Sequence, residues 1–331
     1  MIISTVGSHS ALQILYGAKK ESFSTKVYCL KGKEQLYKRY PVADQIITVD
    51  SYSDLLEKKY ENEEIFVPHG SIIATLGKRA LDIPIPMIGN REGMYWEMIR
   101  EKNLELLNKA NIRTPYTYKP EEIDKLCIVK FPGAKGGDGY FLCSSYQEFE
   151  EKIGELIKEK KVSEEEASNA QIQEYIVGVT MYPHYFYSPI YDRVELLGID
   201  RRYETNVDAL GRLSQSHSKI SPTYTVVGNQ PLIARESFLH KLLDYGDLLR
   251  EVSVDSFHPG LIGPYCIEMA LTDKEIVAFE FTSRIVAGTS LYISGSLYSK
   301  ILFDEEMSMG RRIAREIKLA KEQNRLDDII S

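Results

Sequence analysis

Residues 126–143 read LCIVKFPGAKGGDGYFLC, and this stretch does most to decide the fold. Two apolar runs flank four glycines within residues 133–139, a pattern that predicts two strands joined by a glycine-rich hairpin. Glycines leave the backbone amides unobstructed, and Lys130 and Lys135 add positive charge, so the hairpin is suited to wrapping a polyphosphate. A mobile turn without a ligand is the alternative. The pattern is not a Walker A loop, because no GKS or GKT sequence opens a helix there.

The sequence around this hairpin divides into three parts. From residue 1 to about 90, short apolar runs alternate with helical patterns, which predicts a parallel sheet flanked by helices. A long helical pattern over residues 92–111 marks a boundary. Beyond residue 179 strand patterns dominate, which favours an antiparallel sheet with helices packed on it. The fold class is therefore α/β, and we expect domains at 1–95, 96–180 and 181–331.

Composition and charge narrow the classes of function. The chain has 331 residues, a net charge of −7 and a pI near 5.6. This charge gives no general reason to bind nucleic acid or an anionic membrane, so we expect neither as a partner. The sequence has no run of about 18 apolar residues and no signal-peptide pattern, so we expect a cytoplasmic protein. Four cysteines lie singly in short apolar runs, which predicts buried, reduced strand residues. They are Cys29, Cys127, Cys143 and Cys266.

Two glutamates stand on successive predicted strands. Glu268 lies in YCIEMAL and Glu280 in VAFEFTSR, and a hairpin through TDKEI brings both side chains to one end of a sheet. Mg²⁺ prefers a few carboxylates together with phosphate oxygens, so the pair predicts a metal site that faces nucleotide phosphates. Glu280, Thr282 and Arg284 alternate along the second strand and are expected to share a face. A surface strand with salt bridges is the alternative.

The histidines are weaker signals. His9 is placed between a predicted strand and a predicted helix, with Ser8 and Ser10 on either side. An imidazole titrates near neutrality, so His9 is a candidate to donate to an anion or to help a proton move. A structural histidine is the alternative. His184 lies among aromatic residues in YPHYFYSP, where a substrate pocket and a packed position are both open.

Four segments in order along residues 90–290 resemble the ATP-grasp superfamily of ligases. They are EKNLELLNKANIRTP at 101–115, IVKFPGAKGGDGYF at 128–141, IQEYIVG at 172–178 and EFTSR at 280–284. The resemblance implies an α+β ATP-grasp fold, with an amino-terminal parallel α/β domain followed by a two-part ATP-grasp domain. It implies that Glu268 and Glu280 hold Mg²⁺ or Mn²⁺. The residues it implies for ATP binding are Lys102, Lys130, Lys135, Gly136, Gly137, Glu174, Tyr175 and Ile176.

A narrower resemblance covers nearly the whole chain. The segments are GSHSALQIL at 7–15, PHGS at 68–71, GIDRRYETNVDAL at 198–210, VGNQP at 227–231 and RIVAGTSLY at 284–292. Together they are similar to the archaeal formate-dependent FAICAR synthetases, which formylate 5-aminoimidazole-4-carboxamide ribonucleotide (AICAR) with formate and ATP in purine biosynthesis. The resemblance implies a formyl phosphate intermediate, an additional ATP contact at Glu204, and a trimer or hexamer. It implies AICAR contacts at His9, Ser10, Ser71 and Asn229. It implies catalytic roles for Lys130, Arg284 and His9, with Lys130 and Arg284 stabilising charge.

Three residues depart from the pattern we expect of these families. They are Asp138 in the glycine-rich segment, Thr282 in place of an asparagine, and Ser290 in place of an amide. An acid beside ATP phosphates weakens the positive field of the loop unless it points outward or binds metal. The departures leave two alternatives open: an ATP-grasp paralogue that joins a different carboxylate and amine, and a nucleotide-binding regulatory protein without turnover.

Overall fold

The computed structural model describes residues 1–131, 140–210 and 222–331, and residues 132–139 and 211–221 lie outside that description. The amino-terminal part folds as a parallel sheet with helices. Its elements are β1 (Ile2–Val6), α1 (Ala11–Lys20), β2 (Ser24–Leu30), α2 (Gln35–Arg39), β3 (Gln45–Val49), β4 (Glu64–Phe66) and α3 (Gly70–Leu76). The strand order is β3-β2-β1-β4, and every pairing is parallel. This confirms the predicted parallel sheet.

Two helices follow, α4 (Arg91–Met98) and α5 (Arg100–Lys109). The prediction of a single helix over residues 92–111 is wrong, because the chain breaks between α4 and α5 at Ile99. The backbone of Ile99 is extended, with φ of −107° and ψ of 110°. The break lets α5 dock on a sheet edge. There the buried Asn103 side chain donates to the carbonyl of Phe281 and accepts from its N–H, each at 2.8 Å. One amide side chain thus satisfies both backbone groups of an edge residue.

The middle of the chain forms a second, antiparallel sheet. Its elements are β5 (Thr117–Tyr118), β6 (Cys127–Lys130), β7 (Phe141–Cys143), α6 (Tyr146–Lys158), α7 (Glu164–Ser168) and β8 (Gln171–Glu174). The strand order is β5-β8-β6-β7, and β6 pairs antiparallel with β7. This confirms the two strands predicted on either side of the glycine-rich segment. The Ser145 side chain accepts from the Glu148 N–H and caps α6.

The carboxyl-terminal part forms a five-stranded antiparallel sheet, as predicted. Its elements are β9 (Val179–Ser188), β10 (Arg193–Glu204), α8 (Val207–Leu210), β11 (Val226–Pro231), α9 (Glu236–Ser256), β12 (Gly263–Leu271), β13 (Ile276–Thr282), α10 (Leu297–Phe303) and α11 (Met309–Glu322). The strand order is β11-β10-β9-β12-β13. One face of this sheet is apolar and packs on α5 and α9 through residues such as Tyr185, Ile267 and Phe281.

The last long helix, α11, packs against the first, α1. A Cβ at Gly17 would collide with the backbone of Gly310 and Arg311, so the close approach requires glycine there. Glu21, just after α1, accepts from Arg311 Nε and from Arg315 Nη2, each at 2.7 Å. Segments that are 290 residues apart in sequence therefore form one layer.

The four cysteines are free and buried, and each lies in a strand, as predicted. Cys127 and Cys143 are register partners across β6 and β7. Within residues 1–131, 140–210 and 222–331, no helix combines the length and the apolar character that crossing a bilayer requires.

Candidate active site

Polar side chains gather on the face of the five-stranded sheet opposite its apolar cluster. Successive residues of a strand point to opposite faces of the sheet. In β10, Ile199 belongs to the apolar cluster, and the next residue, Asp200, points to the other face. The polar face carries Asp200, Arg202, Glu204, Asn229, Glu268, Glu280 and Thr282. Four of the five strands therefore contribute charged or amide groups to one surface.

Glu268 and Glu280 are direct cross-strand partners in the β12–β13 register. Glu268 is 5% exposed, and Glu280 is half-buried. Burial and the charge of Glu268 raise the pKa of Glu280, while Arg100, Lys130 and Arg202 act in the opposite direction. Two like charges placed opposite each other are unfavourable unless positive charge lies beside them. The structure thus brings the predicted carboxylate pair together at a place suited to a cation.

Arg202 in β10 occupies both oxygens of Glu268. Its Nη1 donates to Glu268 Oε2 at 2.8 Å, and its Nη2 pairs with Oε1. The guanidinium lies 3.9 Å from the centroid of the Tyr182 ring. The sequence pattern did not single out Arg202, although it lies two residues before Glu204. A metal ion at the carboxylate pair therefore has to share Glu268 with Arg202.

Lys130 ends β6 and reaches the carboxylate pair from the middle sheet. It is 8% exposed, and its Nζ lies 5.1 Å from the centroid of the Phe279 ring. Burial lowers the pKa of Lys130 to about 8, while Glu280 and Glu268 act to raise it. The lysine predicted to bind phosphate and the predicted metal ligands therefore converge on one place.

Arg100, the first residue of α5, is a cation that the sequence pattern missed. Its Nη2 donates to the carbonyl of Phe131 at 3.0 Å and to Tyr140 Oη at 2.7 Å, the two residues that flank the glycine-rich segment. Lys102, which was expected to bind ATP from this helix, has its Nζ 4.2 Å from the Trp96 ring centroid. Residues two apart on a helix point roughly 200° apart, so Arg100 and Lys102 face different surroundings.

Several candidate residues fall in the part of the chain that the structure does not describe. They are Lys135, Gly136, Gly137 and the departure Asp138. The departure Ser290 lies within the described residues, where its Oγ accepts from Gln13 Nε2 at 3.3 Å, so it joins the contact between α1 and the segment before α10.

His9 lies between β1 and α1 with a positive φ of 50°, and its Nδ1 is 2.7 Å from the hydroxyl of the buried Ser10. The His9 ring stacks on His69, with centroids 5.2 Å apart and an interplanar angle of 7°. Burial, His69 and the charges of Arg284 and Arg202 lower the pKa of His9 far below its ordinary value. The expectation that His9 titrates near neutrality is therefore wrong. A neutral imidazole can donate a hydrogen bond from one ring nitrogen and accept one at the other. The hydrogen bond between Nδ1 and Ser10 leaves Nε2 of His9 for a ligand.

Ser71 and His9 line a cavity of about 600 Å³ at the carboxyl ends of β1 and β2. The Ser71 hydroxyl donates to Ser8 Oγ at 3.0 Å, and Lys33 and Tyr52 also line the cavity. In open α/β sheets the crevice outside the carboxyl ends of the strands is the usual place for a ligand. Its volume is in the range of small-molecule sites.

Arg284 lies beside His9, one of the residues that line this cavity. Its Nη2 forms a 2.8 Å ion pair with Glu97 Oε1, and a Cβ at Gly70 would lie 3.4 Å from both the guanidinium and His9 Nε2. The strand β13 ends at Thr282, so Arg284 stands beyond the strand rather than in its alternation as predicted. Thr282 Oγ1 is buried and has no hydrogen-bond partner within the described residues.

The candidate ATP-binding residues Glu174, Tyr175 and Ile176 lie at the end of β8 and directly after it. The Glu174 carboxylate accepts from Arg113 Nη2 at 2.8 Å and from the Tyr116 N–H at 3.2 Å. The carboxylate is therefore engaged within the protein. The backbone N–H groups of Glu174 and Tyr175 are engaged as well, because they donate to the carbonyls of Tyr116 at 2.8 Å and Leu126 at 3.1 Å. Tyr175 and Ile176 follow β8 directly and are half-buried.

Glu204 ends β10 on the polar face and is half-buried. Burial raises the pKa of Glu204 to about 7, with Arg202 opposing the rise and Asp208 and Glu268 adding to it. This carboxyl therefore titrates near neutral pH. Asn229 lies opposite Arg202 in the β10–β11 register, and its Nδ2 donates to Asp200 Oδ2 at 2.6 Å.

A divalent ion fits this site only with help from a substrate. Among the residues that the structure describes, no three His, Cys, Asp or Glu side chains form a group that could hold a metal. Mg²⁺ accepts a small number of carboxylates when phosphate oxygens supply its other ligands. The Glu268–Glu280 pair meets that requirement, and the unpartnered hydroxyl of Thr282 is a polar group that a bound ligand would satisfy.

Known proteins resemble the chain over its whole length. Residues 148–331 match the family described as "Domain of unknown function (DUF1297)", and residues 3–118 match that described as "Protein of unknown function (DUF1246)". A 5-formaminoimidazole-4-carboxamide-1-(beta)-D-ribofuranosyl 5'-monophosphate synthetase from Archaeoglobus fulgidus is 47% identical over 338 residues, which cover 99% of this chain and 94% of the relative.

Two solved structures share the fold. The IMP biosynthesis protein PurP from Thermococcus kodakaraensis has a TM-score of 0.80 at 32% identity, covering 99% of this chain and 100% of that one. The biotin carboxylase domain of the Hydrogenobacter thermophilus 2-oxoglutarate carboxylase, in complex with MgADP, ADP and bicarbonate, has a TM-score of 0.66 at 13% identity. That match covers 95% of this chain and 69% of the domain, and at this identity it concerns the fold alone.

Proposed function

The chain belongs to the family of the 5-formaminoimidazole-4-carboxamide-1-(beta)-D-ribofuranosyl 5'-monophosphate synthetases, and we propose that it uses ATP to join formate to the 5-amino group of AICAR. It is a ligase of purine biosynthesis with an ATP-grasp fold. The observation that carries the proposed reaction is the convergence of Lys130, Arg100 and the Glu268–Glu280 pair on one place. These groups suit phosphoryl transfer, which chiefly needs positioning and charge neutralisation.

The reaction proceeds in two steps. A formate oxygen attacks the γ-phosphorus of ATP, and ADP leaves as formyl phosphate forms. The 5-amino nitrogen of AICAR then attacks the formyl carbon, loses a proton, and expels phosphate. Lys130, Arg100 and Arg284 neutralise the charge that develops on the transferred phosphoryl group. Glu280 and Glu268 hold Mg²⁺ or Mn²⁺, which neutralises phosphate oxygens when bound.

Two groups of residues bind the larger substrates. His9, Ser71 and Asn229 contact AICAR, and the buried Ser10 acts through its bond to His9. The ~600 Å³ cavity lined by His9 and Ser71 supports the assignment of these two residues, and Asn229 lies on the polar face of the large sheet. Glu204 contacts ATP. The further ATP contacts that we propose are Lys102, Lys130, Lys135, Gly136, Gly137 and the segment Glu174, Tyr175 and Ile176.

The test is to incubate the protein with ATP, Mg²⁺, formate and AICAR and to follow both ADP and the formylated ribonucleotide. We expect one product per ADP, and omission of either formate or AICAR should stop product formation. ADP release only with another carboxylate or amine would favour a paralogue with changed substrates. Nucleotide binding without turnover for every pair would favour a regulatory protein.

His9→Ala separates AICAR binding from ATP binding. We expect the KM for AICAR to rise about tenfold, because one hydrogen bond is lost, with the KM for ATP little changed. Lys20→Ala, exposed at the end of α1 and outside the cavity lining, is the control. An unchanged KM for AICAR would leave His9 with a structural role.

We also propose that the chain assembles as a homo-trimer or hexamer and has three domains near 1–95, 96–180 and 181–331. The three sheets support these domains, although β9 begins at Val179. Exposed apolar residues on and beside α10 support the assembly. Ile301 is 75% exposed and Ile233 is 69% exposed, and Tyr298 Oη accepts from the Ala234 N–H at 3.1 Å, which places the two segments together.

A further inference from the structure

Asp200 stands at the centre of a buried hydrogen-bond relay on the polar face. It is 1% exposed, and its Oδ1 lies 2.7 Å from His184 Nε2 while its Oδ2 lies 2.6 Å from Asn229 Nδ2. A Cβ at Gly288 would collide with the carboxylate, so the backbone of residue 288 closes the third side. The buried carboxylate is therefore bounded by His184, Asn229 and the backbone of residue 288.

This relay fixes which way the Asn229 amide points. A carboxylate only accepts hydrogen bonds, so both of its neighbours have to present a donor. His184 donates from Nε2, and its ring edge is packed against Tyr292 with centroids 6.3 Å apart. Asn229 has to turn its NH₂ group toward Asp200, and its Oδ1 consequently faces the other way. His184 is 1% exposed, whereas Asn229 is half-buried, so Asn229 is the member that reaches the open face.

We infer that Asp200 and His184 are positioning residues that hold Asn229 as a hydrogen-bond acceptor for the carboxamide N–H of the substrate base. The inference rests on the proposed function, in which Asn229 contacts AICAR. The 5-amino group has to face the reacting phosphate, so the carboxamide is the remaining exocyclic group with N–H donors. An acceptor at this position rejects a ribonucleotide that carries a carboxylate in place of the carboxamide, because two oxygen acceptors repel each other.

The decisive variant is D200N. It nearly preserves the shape of the side chain, but it exchanges the donor and acceptor roles between residue 200 and Asn229. Among the described residues, His184 Nδ1 is buried without a hydrogen-bond partner, so a proton placed there would have no acceptor. His184 therefore keeps its proton on Nε2 and donates to the remaining oxygen of residue 200, and the new NH₂ group faces Asn229. Asn229 then has to turn its Oδ1 toward residue 200 and present its NH₂ group to the ligand. We expect the wild-type protein to bind AICAR roughly 100-fold more tightly than the 4-carboxylate analogue, and D200N to lower this preference at least about tenfold.

The measurement is calorimetric titration of the wild-type and D200N proteins with each ribonucleotide at fixed pH, with the affinity for ATP, titrated in the same way, as a control that should not change. Equal affinity of the wild-type protein for the two ribonucleotides, or an unaltered preference in D200N, would overturn the inference. Binding is read without turnover, so loss of the formylation activity in the assay described above would refute the proposed function separately.

A second pair of variants keeps the test independent of D200N folding. H184Q retains an N–H donor toward Asp200, whereas H184F removes it at similar volume. We expect H184Q to keep the preference for the carboxamide and H184F to lose about tenfold of it. Thermal unfolding of both variants verifies that they are folded. The same preference in H184F and H184Q would show that His184 only fills space and would contradict its positioning role.

Discussion

Glu280 faces Glu268 across two strands, and the two carboxylates are near three cations. Arg202 takes both oxygens of Glu268, while Lys130 and Arg100 act on Glu280 from the middle sheet and from α5. Residues from three parts of the chain therefore meet at one carboxylate. Placing two carboxylates opposite each other costs free energy in the protein alone, because like charges repel. Binding of a cation together with phosphate oxygens offsets this cost.

Glu280→Gln should abolish turnover and spare the fold. We expect kcat to fall at least about 100-fold, because one anionic metal ligand is lost, and we expect an unchanged or raised Tm because one of two facing charges is removed. Steady-state assays across Mg²⁺ concentrations and thermal unfolding measure both effects. Asp273→Asn, exposed on the same hairpin, is the control. If the Glu280→Gln variant turned over at the wild-type rate at limiting Mg²⁺, Glu280 would not be a metal ligand.

Glu204 should make stability depend on pH in a defined direction. Its folded-state pKa of about 7 lies above the ordinary 4.5, so the folded protein holds this proton more tightly than the unfolded chain. The contribution of Glu204 to stability is therefore complete below pH 4.5 and is lost as pH rises toward 7.

Glu204→Gln removes that dependence. The Tm difference between variant and wild type should be near zero at pH 4.5 and should become positive by pH 8, because the variant has no buried carboxyl to ionise. Scanning calorimetry in a pH series checks this, with the exposed Glu121→Gln as control. A Tm difference that stays flat from pH 4.5 to 8 would contradict the raised pKa of Glu204.

At the scale of elements, the break at Ile99 sets the geometry of the site. It separates α4, which carries Glu97 toward Arg284, from α5, which carries Arg100 toward Tyr140 and docks on Phe281 through Asn103. A single straight helix would not present these side chains in both directions.

Asn103→Leu should destabilise the protein by about 3 kcal/mol, because it leaves the N–H and the carbonyl of Phe281 buried without partners. Denaturant unfolding measures the loss. Glu105→Ala, exposed on the same helix, should cost less than about 1 kcal/mol. Equal losses in the two variants would refute a special role for Asn103 in docking α5.

The elements that sequence could predict are those with a local pattern. The β6–β7 pair and the facing glutamates follow from alternation and turn residues within a few positions. Arg202 lies within the segment GIDRRYETNVDAL, but its role could not be predicted, because its partner Glu268 is 66 residues away in sequence. The low pKa of His9 likewise depends on neighbours brought by other elements, so local reasoning gave the wrong titration range.

At the scale of the whole molecule, the exposed apolar residues and the polar sheet face have different locations. The site residues gather on one face of the large sheet, whereas Ile301 and Leu297 stand exposed on α10. Soluble proteins rarely expose contiguous apolar patches without using them. We therefore expect the assembly contact at α10, away from the carboxylate pair.

Ile301→Asp should dissociate the assembly, because it places a charge in an apolar contact. Size-exclusion chromatography with light scattering should show a smaller mass than for the wild-type protein. Leu36→Asp, which changes an exposed leucine in the amino-terminal part, should keep the wild-type mass. If Ile301→Asp had the same mass in solution as the wild-type protein, the assembly contact would not lie at α10.

The packing of α11 on α1 constrains how the chain is made. Ribosomes add roughly 10 residues per second, so α1 waits about half a minute for the helix that covers it, given the 290 residues between their contacting positions. During that interval the outer side of α1 is bare, and the growing polypeptide is exposed to aggregation. A chain that ends before residue 309 lacks α11, so the side of α1 that α11 covers would remain exposed to solvent. We expect chaperones and proteases to bind such a truncated product.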